Sequence, residues 1–431
     1  MQRRRIQELM SELQAEAQRE LEMQRIGAAA LQELEDNIVA QSEPNLPDID
    51  SELDTHSAVS YHWRVWQLMG LIRPPGASRL GFVLRSLVIN VLVTLLFPIT
   101  LLAKLFYTYS LRELCENLTI TITDIVANLK FINVFLVRRQ LHEIKQLLAV
   151  LDGRALAVNN ADELAVLRQA VHTARLSFRT FGGIFVFGTT LSCLRVAIAK
   201  ERQLLYPAWF GIDWQHSNVA YVLIYVYQLF GLIVQAIQDC ANDSYPPAYL
   251  CILTGHMRAL ELRVRRIGYH VPHQHVAYFE LTACIEDYVN ILRLHAIIQQ
   301  ILSVACFAQF MCSAAVQCTV AMHFLYVADS HDLSAMILSL VFFSAVTLEV
   351  FIICYFGDRM RTQSEALLNA FYACNWMDQN MRFKRNLIIT LMRTQRPSYI
   401  LAGGYIAVTL ETFVQVNRLT YSVFTLLLRA K

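Results

Sequence analysis

The sequence predicts an all-α membrane protein of seven transmembrane helices, with a cytoplasmic N-terminus and helices extended into a cytosolic anchor layer. Three observations carry that expectation. Hydrophobic residues make up 55% of the 431 and charged residues 17%, with a mean hydropathy of +0.37, a balance typical of chains that live in lipid. Seven stretches have the length of about twenty mostly apolar residues that a bilayer crossing needs. Lys and Arg are concentrated on alternate connections between those stretches.

Residues 1–56 are a different material from the rest. MQRRRIQELMSELQAEAQRELEMQ is rich in helix formers, and Pro44 and Pro47 among acidic residues begin a linker, so this segment is expected to be a charged, solvated cytosolic tail. It has no apolar run of the kind a signal peptide requires. Tyr61–Gly70, with Trp63, Arg64 and Trp66, is an aromatic amphipathic stretch suited to the membrane interface.

The expected spans are Leu80–Tyr107, Leu118–Val137, Phe178–Ile198, Val219–Ile237, Ile301–Val327, Ala335–Phe356 and Ala402–Leu428. The second is interrupted by Asp124, Asn128 and Lys130, which must face the bundle interior or a cavity. The organisation that results is a tail over 1–56, six spans with their cytosolic extensions over 57–356, and a last helical pair over 357–431. Orientation follows from charge. Arg64, Arg73 and Arg79 lie between the tail and the first span, six basic residues lie in 138–176, five in 239–300 and seven in 357–398. The alternate connections and the C-terminal tip hold Arg112, Lys200, Arg202, Arg429 and Lys431. That places the N-terminus inside and the C-terminus outside. Apolar residues at helical spacing, such as Met257, Leu260, Val264 and Ile267, continue beyond the spans, so the long connections are expected to be helical and packed.

Several functions are disfavoured. A net charge of +2 without clustered basic and aromatic residues gives no reason to expect nucleic acid. Ten cysteines lie largely in apolar runs, without CxxC or zinc spacing, so neither a disulfide framework nor a metal is expected. No Ser/His/Asp set, phosphate loop or carboxylate pair points to an enzyme, and no cofactor is implied. Asn117-Leu118-Thr119 is an outer glycosylation sequon, close against the second span.

The C-terminal helix is the most informative. Glu411, Gln415, Arg418, Ser422 and Thr425 stack on one face, while Tyr421, Phe424 and Leu428 form an apolar neighbour beyond Arg418. Two readings stand: a water-filled path closed by an apolar constriction, with Arg418 paired to Glu411 or facing a neighbouring helix rather than the lumen, or a buried helix whose polar groups pair with neighbours.

From about His56 to Lys431 the chain resembles the insect odorant receptor family. The likeness is carried by YPAWFGIDW (206–214), CYFGDRMRTQSEAL (354–367), NAFYACNW (369–376), RTQRPSYILAGGY (393–405) and ETFVQVNRLTYSVFTLL (411–427), in that order relative to seven spans. The resemblance implies a tetrameric, odorant-gated, non-selective cation channel in the plasma membrane of sensory-neuron dendrites. A tuning subunit supplies the ligand pocket and a common co-receptor subunit completes the heterotetramer. Without the co-receptor's long cytosolic insertion, this chain looks like a tuning subunit. The resemblance also implies a pocket for a volatile odorant in the outer halves of the second, third, fourth and sixth spans, where the candidates are Thr123, Thr190, Leu194, Tyr221, Tyr225, Gln228, Met336 and Phe343. The implied gate falls at Phe424, Leu427 and Leu428 on the last helix. YPAWFGIDW reads as an outer interfacial element, with Trp209 and Trp214 at headgroup depth and Asp213 at the vestibule. A metabotropic seven-helix chemoreceptor and a small-molecule transporter remain the rival classes, although no repeat between the halves supports the latter.

Overall fold

The computed structural model describes residues 53–430, apart from positions 75, 77, 109, 200–201, 270–273 and 330–332 and the side chains of 329, 427 and 430. The charged stretch 1–52 lies outside the described residues. A 3₁₀ turn, Thr55–Val59, leads into α1 (Ser60–Leu68). The spans follow as α2 (Arg79–Leu105) and α3 (Leu111–Leu136), then α4 (Arg138–Val158), α5 (Ala161–Ile198) and α6 (Asn218–Arg266). α7 (Gln274–Asp329), α8 (Leu333–Ala373), α9 (Met381–Thr394) and α10 (Leu410–Ala430) complete the chain. A hairpin of β1 (Leu401–Ala402) and β2 (Ile406–Ala407) precedes α10.

α6, α7 and α8 run for 49, 56 and 41 residues. At about 1.5 Å per residue each far exceeds the apolar thickness of a bilayer, so the expected extension of spans into a packed layer is met. The principal core lies in that layer. Tyr245, Tyr249, Leu253 and Leu260 of α6 pack with Leu281, Leu294 and Ile301 of α7, Met360 and Phe371 of α8, and Phe383 of α9. The spans instead leave apolar side chains outward, as in Val219, Val222, Leu223 and Val226 of α6, the distribution that lipid rather than water favours. Six helices among the described residues are long and apolar enough to cross a membrane.

The seventh differs from expectation in two ways. α10 carries too many polar side chains to join that set on hydropathy. It also begins at Leu410 rather than Ala402, because Gly403 and Gly404 take φ of +62° and +82° and turn the chain into the hairpin. The hairpin is fixed to α7: Leu401 N donates to Gln299 Oε1 (2.7 Å), Gln299 Nε2 returns to Leu401 O (2.8 Å), and Gly403 N donates to Ser303 O (2.9 Å).

Two details correct the reading of the first hundred residues. Trp66, expected at the interface, is buried with its ring 5.5 Å from Tyr245 and its indole N–H on Asn242. Leu53 and Thr55, placed by the sequence in the tail, are buried. Thr55, fully buried, donates its N–H and hydroxyl to Asp152 Oδ2 (2.8 and 2.9 Å), with His256 Nε2 3.2 Å from the same hydroxyl. That Thr/His/Asp grouping has no access for a substrate and clasps the 53–59 segment to α4 and α6.

Candidate ligand pocket and pore helix

The connection 202–217 packs over one apolar cluster at an end of the bundle, and a second apolar cluster is shared by α3, α7 and α8. In the first, Phe97 and Leu101 of α2 meet Leu205, Tyr206 and Ala208 of the connection, with Ile120, Cys193, Val196, Tyr225 and Tyr227 around them. In the second, Phe343 and Phe342 of α8 pack on Cys312, Val316 and Val320 of α7, with Ile122 and Val126 of α3. α3 thus contributes to both, and Thr123, whose hydroxyl bonds Thr119 O at 2.9 Å, stands on that helix at the same depth.

The sequence candidates divide accordingly. Tyr225 belongs to the first cluster and Phe343 to the second. Tyr221 stacks obliquely on Tyr225 at 6.1 Å, and its hydroxyl donates to Gln203 O at 3.1 Å. Gln228 is fully buried, but its amide is engaged at both ends: Oε1 accepts Leu205 N and Nε2 donates to Tyr206 O, each at 3.0 Å. It holds the connection in place. Met336 is half-buried on α8. Thr190 and Leu194 are exposed on α5; the side chains that α5 turns into the first cluster are Cys193 and Val196, one and two positions away.

Sequence reasoning missed a polar group at this end of the bundle. Arg195 of α5 pairs with Glu116 of α3 at 2.9 Å, and His323 of α7 lies 4.0 Å from Glu116 and bonds Ser339 of α8 at 2.9 Å. Charges at positions 116 and 195, each near the end of an apolar stretch, were the available signal. In the connection itself, Asp213 is exposed and bonded by His216, which holds its carboxyl below the usual range.

At the opposite end of the same spans the interrupted second helix behaves as expected. Lys130 is buried and reaches Asp243 of α6 and, at 3.3 Å, Glu349 of α8, while Asn128 donates to Asp124.

α10 turns Thr412 and Thr420 inward, with Phe413 and Val416 against the core. Its polar stripe points away. Glu411, Gln415, Arg418 and Ser422 are exposed, and Glu411 accepts from Gln415 on its own helix rather than from Arg418. Among the described residues, then, these four side chains of the stripe pair with no other helix of the bundle. Of the gate candidates, Phe424 is half-buried and Leu428 is 45% exposed; the side chain of Leu427 lies outside the described residues.

A sequence profile described as 7tm Odorant receptor matches residues 110–421. The chain belongs to the odorant receptor family. It is 66% identical over 393 residues to Odorant receptor 2a of Drosophila melanogaster, covering 89% of this chain and 99% of that one. Odorant receptor 19a of the same species is 30% identical over 381 residues, covering 88% and 97%. Among solved structures, the insect olfactory receptor OR5 from Machilis hrabei matches with a TM-score of 0.70 at 15% identity, over 88% of this chain and 100% of that one. The same receptor in complex with eugenol matches equally well, at 14% identity. At such identity the likeness shows the fold: an all-α odorant receptor with multiple membrane-spanning helices. The family is one of receptors rather than enzymes, and the ligands implied are small odorants.

Proposed function

We propose that this odorant receptor is the tuning subunit of a heterotetrameric, odorant-gated, non-selective cation channel completed by a common co-receptor. The observation that carries the reading is the outward polar stripe of α10, Glu411, Gln415, Arg418 and Ser422, which no other helix among the described residues covers. Such a stripe is unfavourable against hydrocarbon, so its place is a water-filled axis or a neighbouring subunit. The apolar end beyond it, Phe424, Leu427 and Leu428, forms the gate by excluding water from a narrow path.

A volatile, mostly apolar ligand settles between the two clusters, against Tyr221, Tyr225, Phe343, Met336 and Thr123, with Gln228 bracing the wall. Of the other candidates, Thr190 and Leu194 serve that pocket only if α5 rotates. The solved complex of the Machilis receptor with eugenol supports a small aromatic or oily guest within this fold. Ligand gates the pore by binding the open arrangement better than the closed one. α9 presents Met381, Ile388, Ile389 and Met392 outward, each more than half exposed, and these form the contact between subunits in the cytosolic layer. The receptor resides in the plasma membrane of sensory dendrites with its N-terminus cytoplasmic, as the basic connections favour.

The test is co-expression with the co-receptor in cells blocked for G-protein signalling. Ligand-evoked cation current under the block is expected; its loss overturns the channel reading in favour of a metabotropic receptor, and substrate flux without current favours a transporter.

A further inference from the structure

A shallow groove of about 500 Å³ lies between the start of α4 and α7, lined by Arg138, Arg139, His142, Glu143, Gln146 and Arg293. Its charge is one-sided. Three guanidinium groups share one carboxylate, and that carboxylate, Glu143, is taken by Arg293 at 2.5 Å in a pair exposed to solvent. Arg138 lies over the ring of Phe135 at 4.4 Å, and neither Arg138 nor Arg139 pairs with a carboxylate among the described residues. Other arginines on neighbouring helices are neutralised: Arg154 reaches Glu286 and Asp287, and Arg263 and Arg266 reach the buried Glu163. Two adjacent uncompensated guanidinium groups repel each other, a cost that an anion between them removes.

The groove's depth identifies the source of that anion. Arg138 directly follows the last span residues of α3, where Phe135 and Leu136 are 44% and 68% exposed and so face the acyl region. Asn133 of α3 donates to Ile301 O of α7 at 3.2 Å, fixing the two helices side by side; Arg293, about two turns before Ile301, extends to the same level. Trp63, whose ring stands 4.9 Å from His142, supplies the interfacial aromatic. A basic pocket between helices, opening where apolar faces end, suits a lipid headgroup.

We propose that this groove binds the phosphate-bearing headgroup of an anionic phospholipid, with Arg138 and Arg139 as the phosphate ligands and the acyl chains lying on Phe135 and Leu136. Guanidinium forks match phosphate oxygens in pairs. Arg293 becomes a third ligand when the phosphate displaces Glu143. The site is separate from the odorant pocket and stands whether or not the channel reading does.

The test is native mass spectrometry of the full chain in neutral detergent, titrated with short-chain phosphatidylinositol bisphosphate, short-chain phosphatidylcholine or free inositol trisphosphate. Selective retention of the anionic lipid is expected, weakened about tenfold or more in R138Q/R139Q and unchanged in R168Q, which removes an exposed charge from α5. E143Q is expected to tighten binding about threefold, a gain that misfolding cannot produce. Equal retention of phosphatidylcholine, equal loss in R168Q, or no gain in E143Q overturns the proposal. Binding of inositol trisphosphate as tight as that of the lipid overturns the lipid assignment and leaves a soluble-anion site.

Discussion

Thr420 of α10 donates its hydroxyl to Oε1 of Gln317 on α7 at 3.0 Å, and Gln317 Nε2 donates in turn to Thr347 of α8 at 2.9 Å. Gln317 is fully buried, so one amide ties the stripe-bearing helix to the helix that carries Phe343, one turn before Thr347. If the pore opens when α10 moves relative to ligand-contacting helices, this bridge transmits the movement.

Q317L is expected to fold, because Thr420 and Thr347 keep intrahelical acceptors in Val416 O and Phe343 O and leucine leaves no buried amide unpaired. Ligand-evoked maximal current is expected to fall severalfold at unchanged surface expression. T420V is expected to act in the same direction, and the double variant to be no worse than either, the signature of one shared interaction. Additive losses, or none, would assign the bridge to packing alone.

The buried Lys130 ammonium, held by Asp243 and Glu349, makes a second prediction. K130M strands two carboxylates in the bundle interior and is expected to cost about 3–5 kcal/mol, as removal of one partner from a buried ion pair does. K130M/D243N/E349Q removes the stranded charge and is expected to recover most of that loss. Thermal unfolding in detergent, followed by intrinsic fluorescence, reads both.

Asn117 sits in a glycosylation sequon, but its side chain is fully buried and its Nδ2 donates to Pro207 O at 3.1 Å. The nitrogen that would carry the sugar is committed to the 202–217 connection. Glycosidase treatment of the expressed receptor is therefore expected to produce no mobility shift assignable to Asn117. N117Q is expected to lower thermal stability rather than change mobility.

How much of this was legible in the sequence depends on what each residue must satisfy. Spans were readable because lipid imposes a length and forbids unpaired backbone. Asp124, Asn128 and Lys130 were readable as interior for the same reason, although their partners Asp243 and Glu349 lie more than a hundred positions away and carry no local signal. The candidate pocket was readable only to a helix, not to a face. On α5 both sides are apolar, so nothing in the spacing distinguishes Leu194, which faces out, from Cys193 and Val196, which face in. Gln228 on a tyrosine stripe looked like a ligand group, and only the tertiary contact with Leu205 and Tyr206 shows it bracing a loop. The α10 stripe was visible from Glu411 to Ser422, with Thr425 half-buried, whereas the hairpin ahead of it was hidden by glycines that a span tolerates equally well.

Protonation should loosen the α1 segment. His62 is fully buried, with its ring 4.9 Å from Phe178 and Nε2 2.8 Å from Ser244 Oγ, and burial pushes its pKa down to about 3. His56 is lowered to about 4, first by burial and then by Lys145. Both are neutral when packed and titrate near 6.5 when released, so their contribution is fully present above about pH 6.5 and is lost as pH falls toward the folded values. Hydrogen exchange of residues 60–68 is expected to accelerate between about pH 7 and about pH 5 beyond the intrinsic rate change. H62Q is expected to flatten part of that dependence; identical protection at both pH values in the unsubstituted chain would contradict it.

The last prediction concerns the apolar end of α10. Leu428 is 45% exposed on a helix whose inward face is filled by Thr412 and Thr420, so its side chain is presented away from its own bundle. If it borders the ion path, L428E places a carboxylate from each copy of this subunit beside the permeating cation, where a charged ring acts at close range. The co-expressed L428E receptor is expected to show a shifted reversal potential in mixed monovalent and divalent solutions, together with altered rectification. F424A removes bulk from the same constriction and is expected to raise current in the absence of ligand, because a wider apolar path wets more readily. Should both variants reach the surface and conduct like the parent, α10 does not wall the pore, and its polar stripe must instead be covered by a neighbouring subunit.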